Sequence, residues 1–411
     1  MNLEYFIFDE NNCCTMKDKV IFLTFFFFFG FYAEAQKMQT KKVVVDKLTK
    51  LPLEKVNVYN QKDNSITNEE GVFSFISDQN ELNFSLIGYE NLKLSFAEIN
   101  KQDTIFLQSK TIELDEVVVG EEMAIMKKVY AKMKENYIFE PYNENFFLRC
   151  VLKRNDELER LQDIYGKVSR KSIFKSKTQP DNKCEVEILN MRKVGIKDKA
   201  DFVYFEFQSF EKLFDINAMI SIKIEDFELT KEKNVAGDFF KISFIKKLEN
   251  TIEQKTSGYF IINKYDYAIV ETYFDLYDNG EKVPFQKKDK VEYRTTSFKT
   301  TSNYKKSAST NKYYLNNAKS DVRVELLVSE KNIKAFYDYS TNFFVTNSFI
   351  AEKAKSNLSM DKDIFKVKFP YSEQFWKSQN QLPLTSDLSA FLKRVSENKE
   401  NKKEFEIVGN F

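Results

Sequence analysis

The chain has 411 residues, with 63 lysines and arginines against 62 aspartates and glutamates, and no histidine. That length suffices for two or three domains with cores of their own, and the charge balance provides no overall field to gather nucleic acid. Without an imidazole, serine triads, cysteine–histidine dyads and the common zinc and non-haem-iron sites are excluded.

From Met16 the chain reads "MKDKVIFLTFFFFFGFYAEAQ". Two lysines precede the apolar run Val20 to Tyr32, which is shorter than the roughly twenty residues that span a bilayer. Ala33-Glu34-Ala35 follows as a small-x-small cleavage site. Residues 1–35 therefore read as a secretory signal, with Met16 as the expected start and cleavage between Ala35 and Gln36. A buried helix or a retained anchor is the alternative. Cys13 and Cys14 follow no apolar run, so neither fits a lipid attachment site. Export places the protein in the periplasm or at the cell surface, associated with a membrane if at all only peripherally once the signal is gone.

Lys42 to Leu107 contains short alternating runs with turn signals at regular spacing: "KVVVD", "VNVYN", "GVFSF", "LNFSLIGY", "LKLSF" and "TIFL". This is the pattern of a small β-sandwich over 38–110. Within "TNEEGVFSF", Glu69 and Glu70 are adjacent, as an acid pair for chemistry would be. Consecutive residues point to opposite sides, however, and Gly71 supplies the positive φ of a hairpin tip, so a turn is expected.

These residues resemble the carboxypeptidase regulatory-like domain of Gram-negative, Bacteroidota-type envelope proteins. The matching elements are "LPLEKVNVYN", "TNEEGVFSF", "FSLIGYE" and "LDEVVV", in that order. The resemblance implies a transthyretin-like, seven-stranded sandwich without peptidase activity, because the catalytic domain behind the family name needs zinc-binding histidines. Lys42 and Lys50 stand where the family often has glycine. "LDEVVVG" also ends the sandwich in TonB-dependent receptors, but the remaining length cannot build their plug and barrel.

Residues 111–138 read as a linker and an amphipathic helix, "EEMAIMKKVYAKMKENY", with Met123, Met126, Tyr130, Met133 and Tyr137 on one face. Core packing is the expectation, and a partner-binding face the alternative. Residues 139–411 form a larger, β-rich domain with "NFFLRCVL", "FVYFEFQSF", "DFFKISFI", "GYFIINKYDYAIVETYFDLY", "KVEYRTTSF", "KYYLNN" and "VRVELLV" as strands. Helices are expected at Glu211 to Met219 and in "SDLSAFLKRVSEN". The fold class is thus mainly β: a small sandwich, a helix, and a curved antiparallel sheet with a few covering helices. The aromatic-arginine strand, the long hairpin and Trp376 near the end resemble the usual continuation of regulatory-like domain proteins.

Cys150 and Cys184 each share a strand face with apolar residues and are the disulfide candidates; a bond would close about 35 residues and contribute roughly 4 kcal/mol. Two separate buried thiols are the alternative. "DLYDNGEK" lacks calcium-loop spacing and reads as a turn, and "YKKSASTNK" as a solvated loop. Phe411 ends the chain as an aromatic ends outer-membrane barrels, but no full set of lipid-facing strands accompanies it. No catalytic, cofactor-binding or metal residue is nominated. The reading is an exported, non-enzymatic envelope protein that binds or scaffolds an envelope partner, with a carrier of lipid or another apolar ligand, or a histidine-free hydrolase, as alternatives.

Overall fold

The computed structural model describes residues 37–110, 120–174, 184–196, 205–233, 237–247, 254–328, 333–397 and 405–411. The signal segment with Ala35 and Gln36, Cys13 and Cys14, and the "LDEVVV" motif lie outside the described residues.

Seven strands build the sandwich: β1 (Met38–Asp46), β2 (Asn57–Tyr59), β3 (Asn64–Ile66), β4 (Val72–Ser77), β5 (Glu81–Ser85), β6 (Leu92–Ser95) and β7 (Thr104–Leu107). They form a three-stranded sheet, β4-β1-β7, over a four-stranded one, β3-β2-β5-β6. Phe73, Phe75, Leu82, Phe84, Val44 and Ile105 fill the space between, with Phe73 and Phe84 meeting edge to face at 5.5 Å. The alternation of "GVFSF" produces this directly, since it turns both phenylalanines to one side. The short helix α1 (Phe96–Asn100) closes one end, capped by Ser95 and Glu98 in a reciprocal pair. Two features depart from expectation. β3 carries no alternating apolar signal, and Lys50 adopts φ +61°, the backbone conformation for which the family's glycine is suited.

At the hairpin tip, Asn68 Oδ1 accepts from the amides of Glu70 and Val72, and Gly71 takes φ +71°. A Cβ there would sit 2.5 Å from the Val44 carbonyl.

Helix α2 (Glu121–Asn136) leads into a 12-stranded sheet. Its strands are β8 (Tyr142–Arg154), β9 (Glu157–Arg170), β10 (Glu185–Ile196), β11 (Phe227–Lys231), β12 (Phe239–Lys246), β13 (Ser257–Asn263), β14 (Ile269–Asp275), β15 (Gln286–Lys288), β16 (Val291–Lys306), β17 (Tyr313–Val328), β18 (Ile333–Ser348) and β19 (Phe405–Val408). Every pairing is antiparallel, in the order β11-β12-β13-β14-β16-β17-β18-β8-β9-β10-β19, with β15 beside β16. Helix α2 and helix α3 (Phe210–Asn217) cover one face, called here the helix face. The sandwich, the short helix α4 (Glu373–Lys377) and helix α5 (Ser386–Glu397) cover the other, the sandwich face. The methionine–tyrosine stripe of α2 packs on the helix face, and Tyr137 is fully buried with its hydroxyl donating to the Ile269 carbonyl.

Three expectations are corrected. Phe205 to Ser209 is not a strand: Phe205 and Phe207 cross the helix face and stack on Tyr337 and Tyr339, while Arg160 holds the Phe205 carbonyl. "KYYLNN" and "VRVELLV" are one continuous strand, β17. Cys150 and Cys184 are free thiols. Cys150 is paired in register with Gln162, whereas Cys184 lies against Arg170, eight residues further along β9. At about 3.3 Å per residue that is roughly 26 Å, far beyond the ~7 Å between Cα atoms that a disulfide spans.

Substituting Gly71→Ala is expected to destabilise the protein by more than about 1 kcal/mol, through both the positive φ and the clash with a backbone carbonyl. Denaturant midpoints of the two proteins measure it.

Candidate functional site: the joint between sandwich and sheet

The most heavily built polar region lies where the sandwich meets the large sheet. At its base, Asp163 on β9 is completely buried and receives two guanidiniums. Arg149 on β8 binds both carboxylate oxygens, at 2.7 and 2.8 Å, and Arg192 on β10 donates through Nε and Nη2 at 3.1 and 2.8 Å. The three are neighbours because Asp163 pairs in register with Arg149 on one side and Arg192 on the other. Burial alone raises a carboxyl's pKa, and the two cations overcome it, holding Asp163 below the usual aspartate value.

The arginines' remaining donors fix the C-terminal segment. Arg149 Nη1 reaches the Pro383 carbonyl at 3.0 Å, and Arg192 reaches the Gln381 side chain at 2.6 Å and the Asn410 carbonyl at 3.3 Å. Arg192 also lies over the Trp376 and Phe411 rings. Trp376 and Leu382 pack with Phe147, Tyr165, Phe344 and, from the sandwich, Ile66.

This segment is the seat of the sandwich. Asn380 accepts from the Ile76 amide at 2.7 Å and donates to its carbonyl at 3.1 Å, acting on β4 as a neighbouring strand would. Asn64 on β3 donates to the Asn316 side chain and to the Val345 carbonyl of β18, and Asn57 accepts from Asn316 and Asn317. Lys319 on β17 bridges Glu54 at 2.8 Å and Glu69 at 2.6 Å. Glu70 accepts from the Ser386 amide at the start of α5. The adjacent acids of the hairpin tip thus diverge, one to β17 and one to α5, and both serve the joint.

The other residues singled out in the sequence have structural roles. Cys150 is buried beside the Tyr339 hydroxyl and Cys184 beside Arg170; burial raises both thiol pKa values, which makes them poor nucleophiles. Asp275 accepts from the Tyr277 amide within the "DLYDNGEK" turn, and Asp278 pairs with Lys255 ahead of β13. Among the described residues no group of three or more cysteines and carboxylates is placed to hold a metal ion.

Residues 42–119 match the family described as CarboxypepD_reg-like domain. The sandwich is a carboxypeptidase regulatory-like domain. No curated protein matches the chain. A solved domain described as an outer membrane lipoprotein-sorting protein, from Vibrio parahaemolyticus, aligns at 12% identity over 58% of this chain and 94% of that one, with a TM-score of 0.25. Likeness at that level bears on neither fold nor function.

The regulatory-like domain contributes one more element to the joint. Tyr59 on β2 covers the partly buried Lys305 of β16, whose ammonium lies 3.1 Å from the ring centre. Desolvation lowers the pKa of Lys305 to about 7. A cleft of about 440 Å³ remains between the regulatory-like domain and the sheet, lined by Gln61, Asp63, Ser77, Asn145, Asn347 and Gln379. Most of these side chains already bond one another across it: Asn347 donates to Asp63, and Ser77 to the same carboxylate. On the helix face, a separate cleft of about 650 Å³ is lined largely by charged groups, including Glu206, Lys212, Asp361 and Lys368.

Two measurements test the joint. Asp163→Asn leaves two buried guanidiniums without their counter-charge, and a loss of about 3–5 kcal/mol in stability is expected by chemical denaturation. For Lys305, the unfolded amine has its pKa near 10.5 and the folded one near 7, so the unfolded chain binds the extra proton between those values and stability rises with pH across that window. Lys305→Met removes this rise, so the variant's advantage in thermal midpoint over the parent is expected to be greatest near pH 7 and to shrink by about pH 9.5.

Proposed function

We propose that the protein is an exported, non-enzymatic module of the cell envelope. In this reading the regulatory-like domain and the large sheet act as one rigid unit that binds or spaces an envelope partner. The observation that carries it is the joint itself. Groups from the sandwich, four strands of the sheet and the C-terminal segment are spent on holding the two parts in one orientation. The family match over residues 42–119 supports it, as do the signal-like run before Gln36 and the use of Glu69 and Glu70 as struts.

The helix face of the sheet is filled by the chain's own phenylalanines, tyrosines and aliphatic residues from both covering helices. That packing favours a solid scaffold over a carrier with an apolar chamber. No helix among the described residues is long and apolar enough to cross a membrane.

Expression of the chain from Met16 in a Gram-negative host tests the export half: the protein should be recovered outside the inner membrane with Gln36 at its amino terminus. Retention of the leading residues in the cytoplasmic fraction refutes it. For the non-enzymatic half, the purified protein should leave chromogenic esters, glycosides and phosphate esters unhydrolysed. Turnover that disappears in Glu69→Gln/Glu70→Gln would return those acids to catalysis and overturn the reading.

A further inference from the structure

The loop joining β1 to β2 has a construction that the joint does not explain. Residues 47–52, Lys-Leu-Thr-Lys-Leu-Pro, are all exposed, with Leu48 at 80% and Leu51 at 63% of their full accessible surface. Beside them on the edge strand β7, Phe106 is 43% exposed. A single exposed apolar side chain is ordinary, but three adjoining ones form a patch of the kind that marks a docking surface. This loop is internally fixed.

The Asp46 carboxylate accepts from the Leu48 and Thr49 amides at 2.8 and 2.7 Å and from the Tyr89 hydroxyl at 2.9 Å. The Asp46 amide donates to the Leu51 carbonyl, and the Lys50 amide to the Asp46 carbonyl. Val45 bridges to Pro52, and Lys50 holds φ +61°. Each of these constraints keeps the two leucines outside, where folding gains nothing from them.

Within residues 47–52 the charges are of one sign. Lys47 and Lys50 flank Leu48, and the Lys50 ammonium lies 4.5 Å over the Phe106 ring. Of the acids nearest the loop, Asp46 is buried and bonded to Tyr89, and Glu54 is held by Lys319; Asp103, at the far end of β7, is fully exposed with the Lys42 ammonium 3.7 Å away. An apolar tip beside two exposed lysines is complementary to a lipid surface, where acyl boundary and anionic headgroups lie within one side chain's length of each other. Because the net charge of +1 gives no long-range attraction, recognition must come from this local contact.

We propose that Lys47 to Pro52, with Phe106, is a membrane-docking tip that inserts Leu48 and Leu51 into the interfacial layer of a bilayer bearing anionic headgroups, while Lys47 and Lys50 contact the headgroups. This goes beyond the scaffold reading and does not depend on export, so either can fail alone.

The test uses the chain from Gln36 onward, which retains every described residue and lacks the apolar run Val20 to Tyr32 that would itself bind lipid. Vesicles of phosphatidylethanolamine and phosphatidylglycerol are compared with vesicles of phosphatidylcholine by co-sedimentation. The parent protein is expected to partition into the anionic vesicles, with a loss of about tenfold or more in Leu48→Ser/Leu51→Ser and in Lys47→Glu/Lys50→Glu, both keeping the parent's thermal midpoint. In Leu48→Trp, the added tryptophan's emission is expected to shift to the blue when anionic vesicles are added. Equal partition of parent and serine variant, equal binding to both vesicle types, or no vesicle binding at all overturns the proposal; the last would assign the leucines to a protein surface instead.

Discussion

The arrangement of the molecule depends on one buried carboxylate. Asp163 sits inside a sheet covered on both faces, where a lone charge would cost several kcal/mol, and it is tolerable only because Arg149 and Arg192 approach from the flanking strands. The register that places the three side by side is itself locked by their pairing, since a one-residue slip of β8 or β10 would turn an arginine to the opposite face. Their outward-facing donors then dictate where the C-terminal segment lies, and the segment dictates where the sandwich sits. Sheet register, tail path and domain orientation are in this sense a single electrostatic decision.

The two faces of the sheet are built differently. The helix face is a continuous apolar cluster in which rings meet rings, as Phe146 does with Phe210, Phe214 and Phe343. It contributes the bulk of the burial free energy but little directional information. The sandwich face is smaller and rich in amides: Asn57, Asn64, Asn68, Asn316, Asn347 and Asn380 all bond across the joint. Amides bring both a donor and an acceptor, so each fixes position as well as affinity. A surface of this kind selects one orientation where an apolar one would permit sliding.

Much of the fold could be read from alternation alone. "GVFSF", "DFFKISFI" and the second arm of the hairpin around "NKYDY" are strands in which period-2 burial leaves a mark, while the first arm buries Phe260, Ile261 and Ile262 in succession. The stripe on α2 was equally plain. What stayed hidden has particular causes. β3 is three residues of mainly polar character, and its pairing depends on β2 and on the asparagines of the joint. Phe205 and Phe207 alternate like a strand but spend that alternation on stacking across a face. The Asp163 cluster left only a faint trace: Arg149 between apolar neighbours on both sides marks a doubly covered strand, but its partners come from β9 and β10, 14 and 43 residues away, and only tertiary register unites them. The joint is likewise a property of distant segments: Asn380 and Ile76 are 304 positions apart.

The amide of Asn380 occupies the outer edge of β4 at Ile76, a place where another chain's strand could otherwise add itself. Edges of this sort are how sandwich domains polymerise when they are left bare. The last part of the chain therefore acts as an internal chaperone for the first, and during synthesis the small domain emerges long before its guard. Until residue 380 has been made and threaded under the arginines, that rim is open, which makes the order of synthesis a hazard that the finished molecule no longer displays.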